Sequence, residues 1–270
     1  MKFVTVNLVG PSAIGGISNY GLGNQIFQIA AALSFAHDNN LKAIFPDIKN
    51  KRKYGKYNKS IFKYLDTTNY REEDVELDFE QGDFDYIEIP KKGNIRLNGY
   101  FQHEKYFSHN KNLIYKSLHF EEKMQKKIKA TYGEILQDSI SCHVRLGDYQ
   151  ILKDSHPLLI ETNYYKNLFK KNEDKNILIF SDDIKYCKKL DIFNQPNIHF
   201  ISTKNDIYDL YLMSICEDNI LANSTFSWWA AWLNQNENKK VYFPEKWFGD
   251  GKNNTNPDGL FLETWIKSEC

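Results

Sequence analysis

An α/β protein built as two Rossmann-like halves facing across a cleft is the fold class this sequence predicts. Three observations carry it. Short apolar segments alternate with helical ones along most of the chain. A glycine-rich stretch, Gly10 to Gly23, separates the first strand from the first helix. After Tyr132-Gly133 the alternation starts afresh, which divides the chain into domains over residues 1–134 and 135–270. In the first half, Phe3–Leu8 reads as a strand and Asn24–Asp38, apolar on more than one face, as a buried helix. Lys42–Phe45 is the next strand, ended by Pro46, and Ile95–Phe101 another. Residues 47–92, rich in Lys, Tyr and Asp, show weak periodicity and read as a helical or loop insertion. Phe120–Ala130 is a charged helix leading to the expected linker at Tyr132-Gly133.

The second half offers strands at Ser139–Val144, Ile177–Phe180, Asn197–Ile201, Asn219–Ala222 and Val241–Phe243. Helices are expected over Thr162–Lys171 and Asp206–Cys216, with an aromatic helix directly after Asn223. No internal repeat is visible.

The 270 residues, 41% hydrophobic and 15% aromatic, are enough for a full core and argue against disorder. Thirty-five basic residues balance thirty-five acidic ones, so the electrostatic footprint of a nucleic-acid binder is absent. Only four of the basic residues are arginines, and Arg145 is the single one in the second half. The four cysteines form no C-x-x-C pair and no zinc spacing, and read as thiols of a reducing compartment. The N-terminus is too short and polar for a secretory segment, and no run approaches a membrane span. A cytoplasmic protein, compatible with a peripheral place at a membrane, is expected.

Four segments carry chemistry. Asn223-Ser224-Thr225-Phe226-Ser227-Trp228-Trp229 runs from a strand into a helix, leaving hydroxyls and backbone N–H groups at the helix start. That suits an anion such as a diphosphate, and equally suits plain capping of a buried aromatic helix. Gly21-Leu22-Gly23-Asn24-Gln25 opens the first helix; its glycines permit close backbone approach and its amides offer polar contacts. It lacks the full G-x-G-x-x-G spacing, which disfavours a nicotinamide dehydrogenase. In His143-Val144-Arg145-Leu146-Gly147-Asp148-Tyr149, Arg145 emerges at a strand's C-terminal end, where α/β sheets bind ligands. An arginine there can grip a phosphate with two donors, or pair with Asp148 in a turn. Asp148 could orient Arg145 or act on a substrate hydroxyl. His143 taken alone reads as a core imidazole. Ser181-Asp182-Asp183 also follows a strand; its carboxylates could meet guanine or ribose, hold Mg²⁺, or cap the next helix.

Taken together these segments resemble the α1,2-fucosyltransferases, glycosyltransferase family 11. The resemblance lies in Gly21–Gln28, His143–Tyr149 and Asn223–Leu233, with Gly99-Tyr100-Phe101-Gln102, Tyr106-Phe107, Phe243-Pro244 and Lys246-Trp247 in the expected order. The chain departs from the family in three places. The family's second arginine is Leu146, the Gly10–Asn19 loop is longer, and residues 47–92 match nothing in the pattern. The resemblance implies a GT-B fold with an N-terminal acceptor-side domain and a C-terminal GDP-sugar domain. It implies an inverting displacement that moves L-fucose from GDP-β-L-fucose to the 2-hydroxyl of a galactose-terminated oligosaccharide, free or lipid-linked, with no cofactor and no required metal. Arg145 and Asp148 would be catalytic, Asp148 as a candidate base. Gly23, Asn24, Gln25, His143, Asp182, Asp183, Asn223, Ser224, Thr225 and Ser227 would bind the donor, Asn24 meeting it from the other domain. Two alternatives stay open: transfer of another GDP-deoxysugar such as colitose, and a non-enzymatic carbohydrate-binding module that uses the tryptophans as a platform.

Overall fold

The computed structural model describes residues 2–8, 21–49, 57–82, 84–252 and 256–270. The lengthened loop Gly10–Asn19 and part of the 47–92 segment lie outside the described residues. The chain divides into two compact units, residues 1–121 with 256–262, and residues 122–255 with 263–270.

The first unit is a parallel four-stranded sheet in the order β2-β1-β4-β3. Its strands are β1 (Phe3–Val6), β2 (Lys42–Ile44), β3 (Leu77–Glu80) and β4 (Ile95–Asn98). Helix α1 (Leu22–Asp38) packs on β1 and β2 with thirteen buried residues, as its all-round apolar sequence requires. It ends where Asn40 takes a left-handed φ of 53°, a conformation asparagine tolerates, while Leu41 N–H returns to Ala36 O. The segment 47–92, expected to be helix or loop, contributes β3. That strand is four residues long, alternates polar and apolar, and sits at the sheet edge, so its periodic signal is short. What fixes it is charge: Arg96 opposite it in register donates to Asp78 Oδ1 at 2.5 Å and Oδ2 at 2.8 Å. Helix α2 (Lys111–Ser117), not foreseen, lies against α1.

The second unit opens with α3 (Glu122–Leu136), which contains Tyr132 and Gly133; the linker expected there is helix, and the units part at 121/122. Its sheet comprises β5 (Ser139–Val144), β6 (Asn176–Ser181), β7 (Ile198–Phe200), β8 (Asp218–Ile220), β9 (Val241–Pro244) and β10 (Ile266–Ser268). All pairings are parallel and the order is β10-β9-β8-β5-β6-β7. Numbered from β5, this is the 3-2-1-4-5-6 order of a Rossmann fold. Between the strands run α4 (Tyr164–Lys171), α5 (Ile184–Cys187), α6 (Asp206–Ser214) and α7 (Thr225–Leu233).

Strand β5 is buried along its whole length, as the central strand of a covered parallel sheet must be. Ile140, Cys142 and Val144 face one core, with Tyr164, Tyr165 and Ile179. Ser139, Ser141 and His143 alternate to the other face. There Asn219 donates to Ser141 Oγ at 2.7 Å and Met213 O at 2.9 Å, and accepts from Asn234 Nδ2 at 2.9 Å. This buried amide ties β5, β8, α6 and the end of α7 together. Truncating it strands Asn234 and Ser141 in the interior. Asn219→Ala is expected to lower unfolding stability by about 2–3 kcal/mol. Urea denaturation followed by tryptophan fluorescence measures this, since Trp228, Trp229, Trp232, Trp247 and Trp265 all belong to this unit.

Candidate active site

In the 3-2-1-4-5-6 order the strand sequence reverses between β5 and β8, and the crevice beyond their C-terminal ends is where such sheets bind ligands. The chain puts its two most distinctive segments at these ends. Arg145 to Tyr149 leave β5, and Asn223 to Ser227 leave β8 and start α7. Ser181-Asp182-Asp183 leave β6, the next strand over.

Arg145 stands between two carboxylates. Its Nη2 donates to Asp148 Oδ1 at 2.5 Å and its Nη1 lies 2.7 Å from Asp182 Oδ2. Asp182 Oδ1 accepts from Leu146 N–H at 2.9 Å, so one carboxylate fixes both the guanidinium and the turn that carries it. Gly147 makes this possible. It has a positive φ of 20°, and a Cβ there would sit 2.5 Å from Asp182 Oδ2. Burial works against the arginine's charge, but Asp182 and Asp148 more than offset it, and its pKa moves upward. Among the described residues, two of its five N–H donors have a partner. The side chain is 31% exposed, whereas that of Asp148 is 8% exposed.

Tyr149 braces the group. Its ring lies under Arg145, with the guanidinium carbon 5.5 Å from the ring centre, and its hydroxyl donates to Asn223 O at 2.8 Å. Asn223, 2% exposed, donates its amide to Pro157 O at 3.1 Å and Trp247 O at 3.2 Å. His143 sits one residue before the end of β5, its ring 5.5 Å from that of Phe226. Burial, helped by Arg145, pushes its pKa down to about 3, so the imidazole is neutral.

At the start of α7, Ser224 caps the helix, its Oγ accepting from Phe226 N–H at 3.4 Å. Thr225 is the first helical residue. The hydroxyl of Ser227 turns inward and donates to Ser224 O at 3.0 Å and Ala222 O at 3.3 Å. Asp183 caps the short α5 by accepting from Tyr186 N–H at 2.9 Å. Of the residues singled out in the sequence, Arg145, Asp148, Asp182, Asn223 and Ser224 thus gather at neighbouring strand ends, with His143 against Phe226 of α7. Asp183, Ser227 and the Asn223 amide have structural partners. Gly23, Asn24 and Gln25 belong to the first unit. They form the first turn of α1, where Asn24 Oδ1 accepts from Gln102 Nε2 at 2.9 Å. Gln28 donates to Gly99 O at 2.9 Å, so the two first-unit segments resembling the family meet each other.

One functional candidate escaped the sequence reading. His156 lies with its ring 4.6 Å from that of Tyr149 and 5.7 Å from that of Phe248. It lies in an irregular stretch with no motif to mark it, and only the fold brings it to Tyr149. Burial first, then Lys252 and Arg145, push its pKa down to about 4, with Asp148 pulling the other way. Among the described residues, no group of three or more His, Cys, Asp and Glu is arranged to hold a metal ion. No helix among them is long and apolar enough to cross a membrane.

Two Rossmann-type units define the class of fold, which is GT-B. Solved structures of that class share the architecture. A mutant of Arabidopsis thaliana FUT1 in complex with GDP matches with a TM-score of 0.53 at 16% identity, over 91% of this chain and 72% of that one. NodZ α-1,6-fucosyltransferase soaked with GDP-fucose matches with a TM-score of 0.50 at 14% identity, over 86% and 92%. The chain belongs to glycosyltransferase family 11, whose sequence model matches residues 18–269. Among curated relatives, the Escherichia coli O-antigen biosynthesis glycosyltransferase WbnK is 36% identical over 48% of this chain and 44% of its own. An Escherichia coli α-1,2-colitosyltransferase is 31% identical over 66% of this chain and 64% of its own. The chain therefore spans less than two-thirds of either relative's length.

Both imidazoles are neutral when folded but free to take a proton near pH 6.5 when unfolded. The unfolded state thus binds more protons between these values. The contribution to stability is complete above about pH 6.5 and is lost as pH falls toward about 4. Asp209, raised by burial to about 6, acts in the opposite sense, so the comparison that isolates the effect is between variants. Urea midpoints measured from pH 7 to 4.5 are expected to fall less steeply in His156→Gln than in the wild-type protein.

Proposed function

We propose that the protein is an inverting glycosyltransferase that moves L-fucose from GDP-β-L-fucose to the 2-hydroxyl of a galactoside. The observation that carries this reading is the β5/β8 switch point. It joins a carboxylate-braced arginine to the start of α7. As the sugar–phosphate bond breaks, negative charge grows on the leaving GDP. Fixed donors aimed at that charge stabilise the transition state without reorganising. Arg145 supplies the cation, and the N-terminal end of α7 at Ser224-Thr225 supplies backbone dipoles. Asp182 and Asp148 hold the guanidinium fork. Asp148 has its Oδ1 on the guanidinium and is 8% exposed, so of the two roles the sequence left open it takes the orienting one. Gly23, Asn24 and Gln25 keep their expected service to the transferred sugar on the strength of the sequence resemblance. Asp183 keeps its expected contact with guanine on the same ground.

A second reading has specific support in the similarity to a colitosyltransferase. Colitose is fucose without its 3-hydroxyl, and a site built to bind that hydroxyl rejects the analogue lacking it by a large factor. Parallel assays with GDP-fucose and GDP-colitose on β-galactosides separate the two, and NMR of the product gives the linkage and anomeric configuration. Transfer from GDP-fucose with a new α1,2 bond is expected, undiminished by EDTA, because Arg145 and the helix terminus offset the diphosphate charge. Activity abolished by EDTA and restored by Mg²⁺ would overturn the metal independence. Absence of transfer alongside sugar binding would favour a binding module.

Arg145→Lys keeps the charge and loses the fork. It is expected to lower kcat by roughly two to three orders of magnitude, and a variant turning over at the wild-type rate would remove Arg145 from the mechanism.

A further inference from the structure

The family pattern places a second arginine directly after the first, and this chain has Leu146 there. The Leu146 side chain is 1% exposed and packs into the apolar core with Leu158, Leu159 and Tyr165. No cation reaches the ligand side of the turn from that position. The diphosphate of the proposed donor would therefore meet one donor group fewer, beside an Arg145 already shared by two carboxylates.

His156 shares a neighbour with Arg145, the ring of Tyr149. Its ring is clamped between two chain segments. On one side it lies against Tyr149, tilted by 33°, the ring that underlies Arg145. On the other it meets Phe248, whose ring carries the Lys252 ammonium 4.6 Å from its centre. The stretch that carries His156 is itself bonded to the Phe248 segment and to Asn223. Gly249 N–H donates to Ser155 O at 3.0 Å and Gly251 N–H to Asp154 O at 2.7 Å, while Asn223 holds Pro157 O. Any side chain at Gly249 or Gly251 would collide with the backbone of residues 153–154, so this clamp depends on glycine.

The tautomer follows from burial. His156 Nδ1 is buried and, among the described residues, has no hydrogen-bond partner. An unpaired buried N–H is costlier than an unpaired lone pair, so the lone pair sits on Nδ1 and the proton on Nε2. The ring thus presents a neutral N–H donor. Arg145 and Lys252 both act on it electrostatically, with Asp148 as the opposing charge. Lys252 is the largest of these charges on the ring, and an anion meeting that N–H is drawn by it.

We propose that His156 donates its Nε2–H to a phosphate oxygen of the donor nucleotide, taking over the contact that Leu146 cannot make. This rests on the GDP-sugar reading above. Calorimetry with GDP, and competition NMR with guanosine, on wild-type, His156→Leu and His156→Gln protein test it. His156→Leu is expected to bind GDP about tenfold more weakly, as for a lost hydrogen bond to a charged group. Guanosine affinity should be unchanged. His156→Gln, whose amide N–H reaches a similar position, should recover most of the GDP affinity. Near-ultraviolet circular dichroism confirms that both variants keep the tryptophan core. Unchanged GDP affinity in His156→Leu would overturn the proposal. So would equal losses for GDP and guanosine, or a glutamine variant as weak as the leucine one. Wild-type protein that fails to bind GDP would instead remove the donor reading itself, and the His156 contact with it.

Discussion

Asn223 is the point on which the site depends. It is buried at the end of β8, and its single side chain and carbonyl reach three segments far apart in sequence. The carbonyl takes the Tyr149 hydroxyl from the loop after β5. The amide binds Pro157, next to His156, and Trp247, beyond β9. Each of these loops carries functional candidates and none has much secondary structure of its own. A buried amide left with unmet donors is costly, so the three loops are held together by the same free energy that keeps Asn223 satisfied. The asparagine that looked like a ligand contact in the sequence does its work one layer further back.

Charge in this region is arranged in a related way. Arg145 has two carboxylate partners, and both flanking imidazoles are uncharged. A lone buried guanidinium would carry a heavy desolvation cost. Two partners remove that cost, and neutral histidines add hydrogen-bonding capacity without competing positive charge. Gly147 is the small geometric condition for it, because a methyl group there would displace Asp182.

Much of this was legible in the sequence, and the limits have physical causes. Strand β5 was read to the residue, because its alternation of Ile140, Cys142 and Val144 with polar residues is undisturbed. The motif segments at Arg145 and Ser224 announced themselves through strand-to-helix junctions. β3 did not, since an edge strand of Leu-Asp-Phe-Glu is fixed by Arg96 from across the sheet and not by its own pattern. β10, Ile-Lys-Ser, is a three-residue edge strand of the other sheet, too short to show a period. Gly133 looked like a break but lies within α3; a single glycine costs a helix only about 1 kcal/mol, which the flanking turns absorb. His156 was invisible because what matters about it, a ring packed against Tyr149 and a nitrogen closed off from water, exists only in three dimensions.

The path of the chain's last residues has a consequence for how the protein is made. Residues 256–262 pack with the first unit, where Gly259 lies so close to Phe84 and His103 that no side chain would fit. Residues 266–268 then return to the second unit and add β10 beside β9. Domains of a nascent chain ordinarily fold one after another as they leave the ribosome. Here residues 1–121 must wait through the synthesis of the whole second Rossmann unit before their own missing piece arrives, and that unit is finished only a few residues later. The packing of the first unit is therefore completed by residues made after most of the second unit.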